Sequence, residues 1–165
     1  MDKVIILNLT NVEIKGDTLD VGESYGVIYN LSKDIDEEVS VDYVDENEEE
    51  TLAAGNYDNA AIFFSLSSIW RDGVREKLIK KVSKTLKADG YIYIWDINKR
   101  FGEVISDKIR AILPSGKVKA FEFKNINPIC ISNLDDTKKL LEGEFEIKEQ
   151  KEWEDIFFIK GKKKE

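Results

Sequence analysis

The order of hydrophobic and polar positions along the chain predicts strands that alternate with helices. Short apolar or alternating runs bounded by turn residues indicate strands, and they lie at residues 4–7, 18–21, 39–44, 60–64, 91–97 and 118–123. The run at 91–97 is apolar at nearly every position, which is typical of a central strand covered on both faces. Residues 145–151 and 155–160 predict a closing antiparallel hairpin.

Apolar residues three or four positions apart predict the helices. The clearest helix begins at Gly73, because every fourth position from Val74 to Leu86 is apolar, and Asp89-Gly90 would end it. Another lies near residues 102–113, where three isoleucines share a helical face. Shorter helices are predicted at residues 27–31 and from Asn133 to about residue 141.

This alternation predicts an α/β fold: a doubly wound, mainly parallel sheet with one antiparallel strand near the carboxyl terminus. A chain of 165 residues is long enough for one sizeable core and too short for two. We therefore expect one domain over residues 1–165, with residues 161–165 as a frayed basic tail.

Composition limits the partners and the catalytic groups that are expected for this chain. With 25 basic and 33 acidic residues the net charge is −8, so a nucleic-acid partner is not expected. The chain has no histidine, which removes the commonest transition-metal ligand and the commonest general base, so no metal site is expected. No run approaches the roughly 18 apolar residues of a membrane helix, and we expect a cytoplasmic protein without a membrane partner.

A loop with two glycines follows the strand predicted at 18–21. Gly22 and Gly26 permit unusual backbone angles and the close approach of a ligand. They lie at the carboxyl end of a strand, where open α/β sheets bind their ligands. The alternative is a turn that needs glycine for its geometry alone. The spacing lacks the G-x-G-x-x-G pattern, so a nicotinamide cofactor is disfavoured.

Several segments resemble, in order, those of the class I S-adenosylmethionine-dependent methyltransferases. The sequence LDVGESYG at 19–26 is similar to the first motif of the family, in which a strand ends in an acidic residue and a glycine loop opens a helix. The pairs Val41-Asp42 and Tyr57-Asp58 resemble the second and fourth strands, and LKADGYIYI at 86–94 resembles the helix, turn and fifth strand. The matches span residues 17–161 and imply a Rossmann-like methyltransferase fold.

The resemblance implies S-adenosylmethionine as the cofactor, with its amino-acid end at the glycine loop. The residues implied there are Asp20, Gly22, Glu23, Ser24 and Gly26. Asp42 follows Asp20 by 22 residues, close to the offset of about 20 at which an acidic side chain takes ribose hydroxyls. The alternative for Asp42 is an exposed strand-end carboxylate, with Asp45 or Glu46 as the true partner.

Two further residues belong to the expected site. Ser65 is expected in the wall of the cofactor pocket, and Asp96, at the end of the strand at 91–97, is the candidate catalytic base. The alternative for Asp96 is a helix N-cap or a strand-end carboxylate. Methyl transfer from a sulfonium is an in-line displacement that depends on positioning, so the missing histidine does not exclude it.

The chain also departs from the family pattern. Ser24 replaces the central glycine of the loop, and Tyr25 brings bulk where small residues are common. Only twelve residues separate Val44 from Tyr57, whereas a helix and a strand need about 20. We therefore expect the third strand of the family to be missing or reduced, which weakens the adenine side of the pocket.

Three functions follow. The first is S-adenosylmethionine-dependent methyl transfer to a small molecule or a protein. The second is a methyltransferase-like domain without catalysis that acts as a binding or regulatory module, so enzyme activity stays open. The third is a nucleotide-binding protein of another doubly wound type. The shortened sheet edge at 39–44 could also pair with a second copy to give a homodimer.

Overall fold

The protein is described by a computed structural model over residues 3–22, 24–33, 41–44, 55–153 and 155–164. In chain order its elements are β1 Val4–Asn8, β2 Thr18–Val21, α1 Val27–Lys33, β3 Val41–Val44, β4 Tyr57–Phe63, a 3-10 helix Leu66–Ser68, α2 Asp72–Thr85, β5 Leu86–Ile97, β6 Ile105–Ile112, β7 Val118–Asn125, α3 Leu134–Leu141, β8 Phe145–Glu152 and β9 Ile156–Lys163.

The larger sheet has six strands in the order β3-β2-β4-β5-β9-β8. Strands β3, β2, β4 and β5 are parallel, and β9 is antiparallel to both β5 and β8. The predicted mixed α/β sheet and the hairpin at its carboxyl-terminal end are confirmed. Within the described ranges β3 and β8 are the two edge strands of this sheet. The prediction of a reduced third strand falls on residues 45–54, which lie outside those ranges.

The larger sheet is covered on both faces, as the apolar run in β5 predicts. Ile92 and Ile94 belong to a core formed with α2 and α3, while Tyr93 and Trp95 belong to the opposite core. That second core is closed by α1 and by a separate three-stranded sheet, in the order β1-β6-β7. One covering layer is therefore partly a sheet, and the strands predicted at 4–7 and 118–123 belong to this separate sheet.

The helix predicted near residues 102–113 is wrong, because this segment forms β6, parallel to β1 and antiparallel to β7. Its inward positions alternate and include Ile105, Asp107 and Ile109. Asp107 is buried and accepts a hydrogen bond from the Lys3 backbone N–H at 3.2 Å. A charged residue at an inward position hides the alternation, so the isoleucine spacing resembled that of a helix.

The helix predicted from Gly73 is confirmed, but its bounds and its buried face differ from the prediction. It ends at Thr85, and Leu86 already belongs to β5, which also includes Asp89 and Gly90. Val74 is 47% exposed, and the inward face contains Arg75, whose Nε donates to the Ile69 carbonyl at 2.5 Å. Because the inward face contains a buried arginine, the spacing of apolar residues alone does not identify that face.

The last helix and the last strand show one confirmed boundary and one wrong one. Asn133 is the N-cap of α3, and its side chain accepts from the Asp136 N–H at 2.8 Å, as the predicted start requires. The expected frayed tail is wrong at residues 161–163, because these residues end β9, and Lys163 Nζ donates to the Leu86 carbonyl at 2.8 Å. In the described segments, none of the helices has the length and apolar character needed to span a bilayer.

Candidate functional site

The loop between β2 and α1 contains three residues in the left-handed region of the backbone map. Their φ angles are 80° at Gly22, 56° at Tyr25 and 78° at Gly26. Glycine adopts this region without steric cost, which explains both glycines, whereas a tyrosine there is uncommon. The loop therefore turns sharply at the carboxyl end of β2, as predicted. Glu23, the other expected residue of the loop, lies outside the described residues.

The polar side chains of this loop are directed at one another. Ser24 Oγ donates to Asp20 Oδ2 at 2.5 Å, and both residues are buried, with 2% and 5% of their surfaces exposed. A hydrogen bond to a carboxylate is shorter and stronger than one between neutral groups. The serine that replaces the family's glycine thus serves as an internal partner of the strand-end aspartate.

Tyr25 is held by the smaller sheet. Its ring stacks on Phe121 of β7 with the centroids 4.3 Å apart and the planes 9° from parallel. Phe121 also packs against Phe63 and Phe64 at the end of β4, at 5.6 and 5.9 Å. Phe121 was not predicted as a residue of this site, since its only signal in the sequence was an alternating strand whose packing partner could not be known.

The other two residues expected to bind the cofactor are Asp42, which lies within β3, and Ser65, which follows the end of β4. Asp42 pairs in register with Leu19, and Ile62 pairs with Val21, so Ser65 follows β4 close to the glycine loop. Ser65 is buried and its Oγ donates to the Phe63 carbonyl at 3.2 Å. The structure thus places the backbones of the glycine loop and of Ser65 at the carboxyl ends of adjacent parallel strands, whereas Asp42 lies two residues before the last residue of β3.

Asp96 is fully buried at the carboxyl end of β5. Its two oxygens accept from the backbone N–H groups of Ser67 and Ile97, each at 2.8 Å. Burial raises the pKa of Asp96 from 3.8 to about 6, against the opposing effect of these hydrogen bonds and of Arg75. The carboxyl group therefore anchors the 3-10 helix that follows β4, and its catalytic role stays a prediction.

A larger network surrounds this anchor. The Ser67 carbonyl accepts from Asn125 Nδ2 at 3.1 Å and from Arg75 at 3.4 Å. Strand β7 thus contacts the carboxyl edge of the larger sheet at Tyr25 and again at Ser67. In the part of the chain that the structure describes, no three His, Cys, Asp or Glu side chains come together as a metal ion would require.

Comparison with known proteins gives a result at the level of structure only. No protein-family model and no curated protein sequence matches the chain significantly. A crystal structure of an S-adenosylmethionine-dependent methyltransferase from Aquifex aeolicus matches with a TM-score of 0.64 and 15% identity, covering 93% of this chain and 85% of that one. One from Mesorhizobium loti matches with a TM-score of 0.60 and 11% identity, covering 93% and 94%.

The N-methyltransferase NodS from Bradyrhizobium japonicum, crystallised with S-adenosylhomocysteine, matches with a TM-score of 0.57 and 10% identity, covering 91% of this chain and 79% of that one. At such identities the likeness concerns the fold. The chain therefore has a class I S-adenosylmethionine-dependent methyltransferase-like fold, as its motifs predicted.

Proposed function

We propose, starting from this fold, that the chain is an S-adenosylmethionine-dependent methyltransferase-like protein that transfers a methyl group to a small molecule or a protein. The observation that carries the proposal is the loop at residues 20–26, with its three left-handed residues at the carboxyl end of β2. Ligands of open α/β sheets bind outside the carboxyl ends of the strands, at loops of this kind. A cytoplasmic location completes the proposal.

The residues at the loop suit the chemistry of the cofactor. A sulfonium and an ammonium group carry positive charge, and the loop segment supplies Asp20 and Glu23. We assign the amino-acid end of the cofactor to Gly22, Ser24 and Gly26, its ribose to Asp42, and the pocket wall to Ser65. When bound, the cofactor would supply an electrophilic methyl group, and the chain would orient the acceptor in line with it.

A binding or regulatory module without catalysis is the second candidate, and two observations favour it. Asp96 is fully buried and bonded to two backbone N–H groups, so it offers no exposed base. Tyr25, stacked on Phe121, fills space beside the loop with an aromatic ring. Both observations are compatible with cofactor binding, but they give no support to a base-assisted transfer.

Isothermal calorimetry with S-adenosylmethionine and S-adenosylhomocysteine tests binding. We expect saturable binding of both, a large loss of affinity in Asp42→Ala, and no change in Glu76→Ala, which removes an exposed carboxylate on α2. Gly22→Val should also abolish binding, and circular dichroism must first establish that it folds, since valine is strained at a φ of 80°. The proposal fails if folded wild type shows no binding at millimolar ligand.

Turnover separates the two candidates once binding is established. The protein is incubated with S-adenosylmethionine carrying a labelled methyl group and with a cell extract depleted of its own methyltransferases by heating. Labelled product that disappears in Asp42→Ala supports transfer. Binding without labelled product supports the module without catalysis.

A homodimer through β3 is the proposed assembly. Among the described strands β3 forms one of the two outer edges of the larger sheet, and an edge strand is a template for pairing. Sedimentation equilibrium should then give a dimer that becomes a monomer in Val41→Pro, because proline removes a ladder donor. A wild-type monomer at all concentrations contradicts this assembly.

A further inference from the structure

A groove lies on the larger sheet, and none of its lining residues is one of the residues of the expected site. Its volume is about 660 Å³, and it is lined by β5, β8 and β9 together with the segment at residues 8–15. Pockets for small molecules usually measure about 300–1,000 Å³. The groove therefore has the size of a ligand site, and two of its lining residues, Tyr91 and Tyr93, belong to the segment 86–94 that resembles the family.

The lining has an unusual charge for this molecule. Three lysines and two glutamates line the groove, so it carries one surplus positive charge on a chain whose net charge is −8. Lys15 pairs with Glu13 at 3.6 Å, and Lys151 pairs with Glu149 at 3.3 Å. Lys160 makes no ion pair among the described residues, which assigns the surplus charge to its ammonium group.

Lys160 lies over aromatic rings instead of a carboxylate. Its Nζ is 4.7 Å from the ring centroid of Tyr91 and 5.4 Å from that of Tyr93. Burial, followed by the nearby Tyr91 and Glu149, raises the pKa of Tyr93 to about 12, so its hydroxyl stays neutral. A cation–π contact is weaker than a charge-assisted hydrogen bond, so an incoming anion would bind this ammonium more strongly than the rings do.

Aromatic side chains form much of the lining. Tyr91 is partly exposed, Trp153 is 44% exposed, and the buried rings of Trp95 and Phe158 complete the wall. Flat aromatic surfaces favour planar aromatic partners through offset or edge-to-face contacts. Asn8 offers a polar contact in addition, since Thr10 occupies its Oδ1 and leaves the amide nitrogen as a donor.

We propose that this groove binds a small planar aromatic compound that carries one negative charge, with its anionic group on Lys160 and its ring against Tyr91 and Trp153. The charge on Lys160 selects an anion over a neutral or cationic analogue, and the rings select a planar body over an aliphatic one. The site is independent of the cofactor loop and does not depend on methyl transfer.

Three probes of nearly equal shape test the charge requirement. The first is 4-hydroxybenzoate, the second its neutral amide, and the third the cation 4-hydroxybenzamidine. Binding is followed by calorimetry and by quenching of tryptophan fluorescence, because Trp95 and Trp153 line the groove. We expect saturable binding of the benzoate at least about tenfold tighter than that of either analogue.

Substitutions of lysine test whether the benzoate binds at Lys160. Lys160→Met should weaken benzoate binding at least about tenfold, Lys160→Arg should retain it, and Lys80→Met, on α2, should leave it unchanged. The arginine variant keeps the test meaningful if the methionine variant folds poorly. The proposal is overturned if the amide binds as well as the benzoate, if Lys160→Met binds normally, or if the benzoate shows no saturable binding.

Discussion

The cofactor loop and the groove beside Lys160 differ in the exposure of their polar side chains. At the carboxyl edge of the sheet Asp20, Ser24 and Asp96 are nearly inaccessible, and each is bonded within the protein. At the groove, the side chains of the two ion pairs are between 45% and 75% exposed. The described polar side chains of the cofactor site are thus bonded within the protein, whereas the groove presents charged side chains to solvent.

This difference predicts that the two regions contribute to different properties, one to the stability of the fold and the other to ligand binding. Buried polar groups stabilise a fold when they are bonded and destabilise it strongly when one partner is removed. Exposed ion pairs contribute little to stability, so their removal affects mainly what the surface binds. Substitutions near the loop should therefore change the free energy of unfolding, and substitutions in the groove should change ligand affinity.

Removal of the ring that covers the loop should have the largest effect. Phe121 is buried against Tyr25, Phe63 and Phe64, and replacement of a buried phenylalanine by alanine costs about 3–5 kcal/mol. Urea denaturation of Phe121→Ala measures this loss. Ile6→Ala, at an exposed position of the same small sheet, should stay within about 0.5 kcal/mol. Equal losses in both variants would refute the importance of this contact.

The pH dependence of stability should come next. Because folding raises the pKa of Asp96 from 3.8 to about 6, the folded state favours the protonated carboxyl group. Its contribution to stability is complete below about pH 4 and is lost as the pH rises through about 6, a change of about 3 kcal/mol. Asp96→Asn should lack this change. Parallel stability curves for the two proteins from pH 4 to pH 7 would exclude it.

A smaller loss is expected at the loop hydrogen bond. Ser24→Ala removes the donor to buried Asp20 and should cost about 1.5–3 kcal/mol. Ser115→Ala, in the exposed turn between β6 and β7, is the matched control and should change the unfolding free energy by less than about 0.5 kcal/mol. Thermal unfolding of both variants provides the measurement, and a Ser24→Ala protein as stable as wild type would show that the bond is not needed.

The smallest effect on stability is expected in the groove. Lys160→Met removes a partly exposed cation over two tyrosines, a contact that contributes about 0.5–1 kcal/mol. Its urea midpoint should therefore lie near that of wild type. A loss as large as that of Phe121→Ala would mean that Lys160 serves the fold, and the contrast between the two regions would disappear.

Local signals in the sequence were sufficient for one part of the molecule. Signals within the short segment 18–27 predicted three features there. They are the bounds of β2, the turn at Gly22 and Gly26, and the start of α1. The fold class followed because strand and helix signals alternate along most of the chain.

Contacts between distant segments could not be predicted. Strand β6 depends on pairing with β1, about a hundred residues earlier, and Asp107 at an inward position obscured its alternation. The stack of Tyr25 on Phe121 and the groove lining at residues 8–15, 91–95 and 149–160 likewise require the folded chain. The glycine loop was predicted from sequence, but its internal bonding and its aromatic cover were not.

A crystal structure of the protein soaked with S-adenosylhomocysteine tests the central claim most directly, because it shows which region binds the ligand. We predict density for the amino-acid end of the ligand against residues 20–26, with the ribose beside Asp42 and the groove at Lys160 unoccupied by the ligand. Density confined to the groove, or a loop that excludes the ligand at saturating concentration, would contradict the proposed cofactor site.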